Sequence, residues 1–362
     1  MSNLLRFLFL GSLSLLSYLP LSAQIGGDHT YTFLTLSNSA RIASLGGNAM
    51  AVLDNDVTLS LANPSLITPD MNDQLALSYV NYFSGNNIGF AMYSHTFNKA
   101  GSFVAAIQFD DYGKIQGADA SGNKTGNISA SEYALTIGWG RTLTNHFSIG
   151  ANAKLIYSHL DEYNSFGIAV DVAGSYFTKD KLFVASVMAR NIGSQIVPYQ
   201  SGEFEPLPFE LQLGLSQGLK HLPLRFFLLF TNLQKWDLSY TDTNDPKNQA
   251  DPYTGEVQEK SGISKFADNL MRHIVVGGEV TIAKVFSIRL GYNYQRRQEL
   301  KLYERTGLSG FTYGVGFRVK MFNFSYTHAT YQAGSPNPNY VTIAVNLKGF
   351  SKNKRTSGQA DK

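Results

Sequence analysis

Hydrophobic and polar residues alternate with a period of two through most of the chain from Gln74 onward. In FGIAVDVAGSYF, which begins at Phe166, most alternate residues are Phe, Ile, Val or Tyr, and the residues between them are mainly Gly, Ala, Asp and Ser. Successive side chains of a strand point to opposite faces, so each such segment predicts a strand with one apolar and one small or polar face. The same division occurs in VFSIRLGYNYQRR, from Val285, and in GFTYGVGFRVK, from Gly310.

We predict about fourteen strands of this kind, most of them about ten to fifteen residues long, where strands of ordinary sheets have about five or six. Strands of this length suit a tilted crossing of a bilayer. The predicted strands begin near Gln74, Asn87, Gly101, Ser131, His146, Tyr163, Lys181, Pro208, Leu222, Met271, Val285, Ser309, Phe322 and Asn339.

The predicted connections alternate in length. Tight connections (FNKAG, LTNH, TKDK, KHLP, AKV and KMF) follow the even-numbered strands, and longer ones such as GKIQGADASGNKTGNISA follow most odd-numbered strands; the links near Ser84 and Glu162 are short exceptions. Outer-membrane barrels have short periplasmic turns and longer external loops, whereas a soluble secreted sandwich, the alternative fold, has no reason to sort its loops. The sequence therefore predicts an all-β transmembrane barrel of about fourteen antiparallel strands over residues 74–350.

Both ends of the chain fit export to the outer membrane of a Gram-negative bacterium. Residues 1–23 have the form of a cleaved signal peptide, with Arg6 before an apolar stretch and a small-residue cleavage site that ends at Ala23. After it, no apolar run is long enough for a transmembrane helix, and the lack of Cys argues against a lipoprotein anchor or a disulfide scaffold. The last predicted strand ends in the aromatic Phe350, and residues 351–362 predict a polar periplasmic tail.

Composition supports a membrane surface and no nucleic-acid partner. Charged residues make up only 16% of the chain and aromatic residues 13%. The net charge of +3 is too small and too scattered for a nucleic-acid footprint. Aromatic side chains are favoured at headgroup level, so we predict aromatic belts on the barrel. The candidate belt residues are Tyr79, Tyr157, Tyr176, Tyr292, Tyr294 and Trp139.

The stretch LGGNAMAVLDNDVTLSLANPSLI, from Leu45, allows three interpretations: a phosphate loop, a calcium loop, or a series of turns and caps. A dinucleotide fingerprint needs three glycines in the pattern G-x-G-x-x-G. Gly46 and Gly47 are adjacent, and the third glycine is missing. The pair does not predict a phosphate loop.

The second half of this stretch does not predict a calcium loop. Asp54 and Asp56 fit the start of an EF-hand pattern, but Leu59 stands where that pattern has glycine. We favour an aspartate cap or turn, followed by a short helix that ends at Asn63-Pro64, because the residue before proline avoids the helical region.

No catalytic, cofactor or metal site is predicted. The seven His residues include no pair at i, i+4, and there is no Cys to complete a zinc site. Ser351 and Lys354 match S-x-x-K, but they stand in a charged tail without the partner motifs of a penicillin-binding enzyme. We therefore expect a protein that is not an enzyme.

Two pairs of opposite charges fall on the small or polar face of the predicted strands. Lys154 and Asp171 lie nearly symmetrically about their turn, and so do Glu279 and Arg289. An antiparallel register then predicts that the members of each pair face each other across adjacent strands in the lumen. Such a pair contributes about 1 kcal/mol or less in a wet lumen.

Parts of the chain resemble known outer-membrane proteins. ARIASLGGNAMAVLDNDVTLSLANPSLI resembles the N-terminal segment of the FadL-like superfamily. NYFSGNNIGFAMYSHTF, DEYNSFGIAVDVAGSYF, PLPFELQLGLS and LQKWDLSY are similar to the PorV/PorQ family of the type IX secretion system. The resemblance implies a fourteen-stranded barrel with residues 24–73 folded inside it, or against it, as a hatch.

The same resemblance implies a non-enzymatic function in an attachment complex. A barrel of this family would anchor a PorZ-like surface protein and work with PorU and PorV, so that secreted cargo is processed and attached to the cell surface. Outer-membrane lipid and lipopolysaccharide are further implied partners. The alternative is a FadL-type channel for hydrophobic molecules, which would need a lateral opening and an apolar lumen.

The longest predicted connection runs from Asp237 to Asn269 and lies outside the cell in this topology. Aromatic residues that anchor protein interfaces and acidic residues suited to a polar rim make it a candidate partner-binding loop. A solvated, partly disordered loop is the alternative. The candidate binding residues are Trp236, Asp237, Tyr240, Asp251 and Tyr253.

Overall fold

Fourteen antiparallel strands close into one barrel in the computed structural model, which describes residues 29–82, 85–119, 121–239, 261–301, 307–331 and 336–350. Each strand pairs with its neighbours in sequence and the first pairs with the last, which confirms the predicted fold class. The strands are β1 Gln74–Asn81, β2 Asn87–Phe97, β3 Gly101–Ala118, β4 Lys124–Thr142, β5 Phe147–Leu160, β6 Tyr163–Phe177, β7 Phe183–Val197, β8 Glu210–Gly218, β9 Leu224–Phe230, β10 Ile274–Ile282, β11 Phe286–Asn293, β12 Phe311–Val319, β13 Phe322–Ala329 and β14 Asn339–Asn346.

Several predicted features lie outside the described residues. These are the signal peptide over 1–23, the first residues of the hatch, 24–28, and the tail over 351–362. Three residues of the candidate partner-binding loop, Tyr240, Asp251 and Tyr253, also lie outside them.

The apolar face of the strands points away from the barrel axis. Leu77 and Leu155 are 52% and 61% exposed, whereas Ala76 and Ile156 beside them are 2% exposed or less. A continuous apolar surface around a closed barrel is stable against lipid, so this face marks the region that contacts the bilayer. Two of the candidate belt residues that are exposed on it are Tyr79 and Tyr176.

The β3–β4 hairpin is longer than predicted. β4 begins at Lys124, seven residues before the predicted Ser131, and β3 continues to Ala118. Lys124 and Asn127 are both exposed, as are the residues between them, so this part of the hairpin has no apolar face. The alternation that indicates a strand is therefore absent, although the backbone pairing continues through two register shifts.

Two helices were not predicted: Gly262–Arg272 lies in a connection that we predicted as a loop, and Tyr294–Leu300 replaces the end of the strand predicted from Val285. Asn293 Oδ1 accepts a hydrogen bond from Arg296 N at 2.9 Å, so β11 ends there and a helix begins. Tyr294 belongs to that helix rather than to an outward belt, and its hydroxyl donates to Asp268 at 2.7 Å. The helices of the described residues are α1 Ala40–Ser44, α2 Gly262–Arg272, α3 Tyr294–Leu300 and the 3-10 helices Thr32–Thr35, Val57–Ser60, Pro64–Leu66 and Pro69–Met71.

None of the helices in the described ranges is both long enough and apolar enough to span a membrane.

The two ends of the barrel differ. We call the end that holds the first residue of β1 and the last of β14 the turn end, because the other connections there, such as 143–146 and 320–321, are short. The opposite end, which carries α2 and α3, is the loop end. Because short and long connections alternate along the chain, as predicted from the sequence, the short ones gather at one end of the barrel and the long ones at the other.

Residues 29–73, the plug segment, run through the lumen from the loop end to the turn end. Thr30 N donates to Pro206 O at 3.0 Å near the loop end. In the middle of the barrel, Ala40 N donates to Thr342 Oγ1 at 2.8 Å. At the turn end, Asp70 pairs with Lys181 at 3.2 Å. The plug segment therefore occupies the lumen along the length of the barrel.

Glycines on the lumen face allow the plug segment to approach the strands closely. A Cβ at Gly150 would lie 2.3 Å from the carbonyl carbon of Pro64, and one at Gly140 would lie 2.6 Å from the Ile67 oxygen. Both contacts involve backbone atoms of the plug segment, which cannot rotate away as a side chain can. The small residues of the polar face thus mark where the plug segment packs.

We expect Gly150→Val to displace the plug segment while the barrel stays closed, because valine suits a strand but its side chain meets the Pro64 backbone. Limited proteolysis of the purified protein should cleave the plug segment about tenfold faster, as expected for a loss of ~1.4 kcal/mol in local stability. Gly174→Val is the matched control, since a Cβ there meets only Ser148 O, at 4.0 Å. Equal cleavage of the two variants would contradict the packing described above.

Candidate functional site

The paired glycines form a turn that follows α1. Gly46 and Gly47 both have φ of +98°, a region that favours glycine. Gly46 N donates to Thr312 Oγ1 at 3.1 Å, and Thr312 Oγ1 donates to Ser44 O at 3.0 Å. The pair therefore turns the plug segment against β12, and its role is structural.

The two aspartates make turns and caps, as we predicted for this stretch. Asp54 Oδ1 accepts from Asp56 N at 3.0 Å. Asp56 Oδ1 accepts from Thr58 N at 3.0 Å and caps the 3-10 helix that follows. Both carboxylates also contact Arg41, at 2.7 Å and 3.1 Å. Their charges are thus balanced by a guanidinium within the plug segment itself.

Asn63 begins a helix rather than ending one. Its Oδ1 accepts from Ser65 N at 2.9 Å, so Asn63 caps the 3-10 helix that starts at Pro64. Its Nδ2 donates to Met50 O at 2.6 Å. Proline is well tolerated at the first position of a helix, where its missing N–H would have no partner, and this explains why the Asn-Pro pair starts the turn.

Arg41 joins the plug segment to the barrel wall. Its Nε and Nη2 donate to the two carboxylate oxygens of Glu279 on β10, at 3.0 Å and 2.9 Å. Arg289 on β11 donates to the same carboxylate at 2.6 Å. We call these residues and the two aspartates the Arg41 network. It sets two guanidinium groups against three carboxylates, and Arg41 and Glu279 are only 5% and 8% exposed.

The network also affects the titration of Asp56. Burial alone would raise the pKa of Asp56, but the charge of Arg41 and hydrogen bonds from Thr58 lower that pKa below its ordinary 3.8. A carboxyl whose pKa is lowered by folding stabilises the fold at neutral pH, and this contribution is lost as the pH falls through the lowered pKa. Asp56 therefore contributes to the stability of the plug segment at neutral pH.

The structure places both predicted charge pairs in the lumen, with one difference in register. Glu279 lies directly opposite Arg289, as predicted. Lys154 lies opposite Ala169 instead of Asp171, because the β5–β6 turn contains only residues 161 and 162. The Lys154 Nζ still reaches Asp171 Oδ1 at 2.8 Å along the diagonal between strands.

This second pair is completed by two asparagines. Lys154 Nζ donates to Asn191 Oδ1 at 2.8 Å, and Asn152 Nδ2 donates to Asp171 Oδ2 at 3.1 Å. Asn191 has φ of +56° at a register shift in the β6–β7 pairing, which places its side chain near the lysine. The pair therefore stabilises one wall of the barrel and has no reactive role.

The loop end carries an apolar surface on α2. Ile263 and Phe266 are 85% and 57% exposed, whereas the polar Asn269 and Arg272 of the same helix are 6% and 5% exposed. Trp236 is 53% exposed, and its ring centroid lies 5.4 Å from that of Phe266. We define Trp236, Ile263, Phe266 and Leu270 as the apolar patch.

The polar residues of α2 hold the helix on the barrel. Asn269 Nδ2 donates to Trp236 O at 2.7 Å, and Asn269 Oδ1 accepts from Leu238 N at 2.8 Å. Arg272 Nε donates to Asp268 Oδ2 at 3.0 Å, and Asp268 also accepts from Tyr294 of α3. Because these polar contacts face the protein, the apolar side of α2 is left on the surface.

Of the candidate partner-binding residues that are described, Trp236 and Asp237 differ in role. Trp236 contributes to the apolar patch. Asp237 Oδ1 accepts from Ser239 N at 2.9 Å and from the Ser239 hydroxyl at 2.6 Å, so this carboxylate stabilises a turn. Asp237 is also exposed, and its place on a partner-binding surface stays a prediction.

Two features of the site were not predicted from the sequence. The role of Arg41 was not predicted, because nothing local in the sequence indicates that its partners lie on β10 as well as in the plug segment. The spacing of Ile263, Phe266 and Leu270 at i, i+3 and i+7 is a helical signal. This spacing indicates a helix, but the polar composition of the connection from Asp237 to Asn269 led us to predict a loop there.

No protein-family model and no curated protein matches the chain. Several solved structures have similar folds. One is the Pseudomonas putida toluene transporter TodX, with a TM-score of 0.50 and 11% sequence identity; the match covers 87% of this chain and 99% of the TodX chain. The Ralstonia pickettii toluene transporter TbuX has a TM-score of 0.48 at 10% identity, covering 88% of this chain and 100% of its own. A Pseudomonas aeruginosa FadL homologue has a TM-score of 0.46 at 8% identity, and the match covers 86% of this chain and 98% of the homologue.

At such identities the likeness shows the fold alone. The chain has the closed fourteen-strand architecture of FadL-like outer-membrane barrels. The apolar outward face of the closed barrel is the surface that a membrane-spanning barrel presents to lipid.

We expect Glu279→Gln to destabilise the folded protein by about 3 kcal/mol, because removal of one charge leaves Arg41 and Arg289 without the carboxylate they share. Unfolding in urea, followed by heat-modifiable migration on gels, measures the loss. Asp70→Asn serves as the control, since Asp70 and Lys181 are largely exposed and such a pair is worth ~1 kcal/mol or less. Equal midpoints for the two variants would show that the Arg41 network does not hold the plug segment.

Proposed function

We propose that this protein is a plugged outer-membrane barrel that anchors a partner protein at the cell surface through the apolar patch. The observation that carries this proposal is the orientation of α2, which buries Asn269 and Arg272 and exposes Ile263 and Phe266. An exposed apolar surface rimmed by polar residues is typical of a protein interface, and Trp is enriched in binding hot spots.

The barrel gives this surface a rigid base. Trp236, Asn269 and the α2–α3 contact through Asp268 fix the helix above β9 and β10, so little order has to be gained when a partner binds. The plug segment and the Arg41 network stabilise the same barrel from inside. Rigid presentation of apolar anchors favours a docking function over a loop that only connects strands.

The proposed partner is a PorZ-like protein of the type IX secretion system. This finer assignment rests on the sequence similarity to the PorV/PorQ family, and within it on the similarity to PorQ. In this function the barrel would hold the surface protein beside PorU and PorV, while secreted cargo is processed and attached to lipopolysaccharide. The barrel would contribute no catalytic residue.

The second candidate is a FadL-type channel for hydrophobic molecules, and the solved structures favour it. TodX and TbuX, which share the fold, are described as toluene transporters. Passage of an apolar molecule would require the plug segment to move, because the Arg41 network and the Lys154–Asp171 pair occupy the lumen. The ion pairs that such a passage would have to separate support the anchoring function instead.

We expect Phe266→Ser to weaken retention of the surface partner, because it removes an apolar ring from the centre of the patch; such anchors contribute about 2 kcal/mol or more, roughly a thirtyfold loss in affinity. The measurement is co-purification of the partner from native membranes, together with the fraction of type IX cargo left unattached. Leu222→Ser is the matched control, since Leu222 is 58% exposed against 57% for Phe266 but lies at the turn end.

Both variants should show native abundance and heat-modifiable migration, because neither residue is in a strand. Normal partner retention in Phe266→Ser would rule out the apolar patch as the docking surface. A deletion strain that attaches its cargo normally but takes up less toluene would rule out the anchoring function and establish the channel.

A further inference from the structure

A polar cavity lies in the loop-end half of the lumen, above the plug segment. Its volume is about 330 Å³, and its wall includes Arg190, Gln212, Arg296 and Glu299. Cavities of this size are in the range that proteins use for small ligands. It is distinct from the apolar patch, whose four residues do not line it.

Three of the wall residues carry buried polar atoms that have no hydrogen-bond partner within the described residues. These atoms are Arg190 Nε, Arg296 Nη1 and both amide atoms of Gln212. Arg190 and Gln212 are only 9% and 1% exposed. A buried polar group without a partner destabilises the fold, so a ligand that supplies partners to these groups is favoured in this cavity.

The unpartnered atoms indicate the chemistry of the ligand. Arg190 Nε and Arg296 Nη1 are N–H donors on positive groups, and they bind a carboxylate more strongly than a neutral acceptor. The Gln212 amide offers both a donor and an acceptor, and a hydroxyl group complements both. A molecule with a carboxylate and several hydroxyls therefore matches the wall.

The two acidic residues of the wall do not exclude an anion. Glu210 lies 3.9 Å from Arg190 Nη1 and is partly neutralised by it. Glu299 is exposed, so water screens its charge, and Gln295 Nε2 donates to it at 2.9 Å. Arg296 is held in place, with its guanidinium carbon 4.3 Å from the centre of the Tyr331 ring.

We propose that this cavity binds a sugar acid, with Arg190 and Arg296 on the carboxylate and Gln212 on a hydroxyl. The site is independent of the proposed anchoring function, because it uses the lumen above the plug segment and not the surface of α2. Its position at the loop end gives it access to saccharides on the external side of the membrane.

Isothermal titration of the purified full-length barrel in detergent tests the site, with glucuronate as the probe and glucose and acetate as comparisons. Glucuronate should bind more tightly than either comparison, because only it has both the carboxylate and the hydroxyls. Arg296→Gln should weaken glucuronate binding about tenfold, the loss expected for one charge-assisted hydrogen bond. Arg318→Gln is the control, since Arg318 lines a different cavity at the turn end.

Gln212→Leu separates the two parts of the proposal: it should remove the preference for glucuronate over acetate while acetate binding persists. Heat-modifiable migration checks that each variant is folded, and Arg296 lies in α3, outside the strands. No glucuronate binding by the native protein would overturn the site. If Arg296→Gln and Arg318→Gln weaken glucuronate binding equally, general charge attraction explains the binding and the site is overturned. Acetate binding as tight as glucuronate binding would overturn the sugar-acid assignment.

Discussion

The structure depends on one buried guanidinium. Arg41 contacts Asp54 and Asp56 of the plug segment and Glu279 of the barrel wall, and it is almost inaccessible to water. A buried charge is tolerated only when it is paired and hydrogen-bonded, so the plug segment and the wall stabilise each other through this residue. Movement of the plug segment would separate these charges, so the Arg41 network favours the position of the plug segment inside the lumen.

The surfaces of the barrel differ in what they can contact. The outward face is apolar and contacts lipid, and the interior is filled by the plug segment, which leaves the loop end as the surface that meets other molecules. At that end the polar side of α2 is used to attach the helix, and its apolar side remains exposed. In the proposed function the barrel is a rigid base for the apolar patch, and the polar cavity in the loop-end half of the lumen is the separate proposed ligand site.

The fold follows from the sequence more directly than the site does. Alternation of apolar and small residues predicts all fourteen strands, because each lipid-facing position requires an apolar side chain. The early part of β4 was missed because both of its faces are exposed. Lys154 pairs with Asp171 as predicted, but diagonally, because the β5–β6 turn is centred on residues 161 and 162. Arg41 and α2 were missed for a different reason: the partners of Arg41 on β10 are distant in sequence, and the helical spacing of Ile263, Phe266 and Leu270 lies in a polar connection.

A covalent tether tests most directly whether the barrel functions with its plug segment in place. The chain has no Cys, and the Cβ of Ala51 in the plug segment lies 3.2 Å from the position of a Cβ at Gly214 on β8, close enough for a disulfide after small shifts. The measurement is partner retention and cargo attachment in cells that carry Ala51→Cys with Gly214→Cys, compared under oxidising and reducing conditions. The account predicts that both are unchanged when the tether forms. Loss of both on oxidation and recovery on reduction would show that the plug segment must move, and would contradict the account.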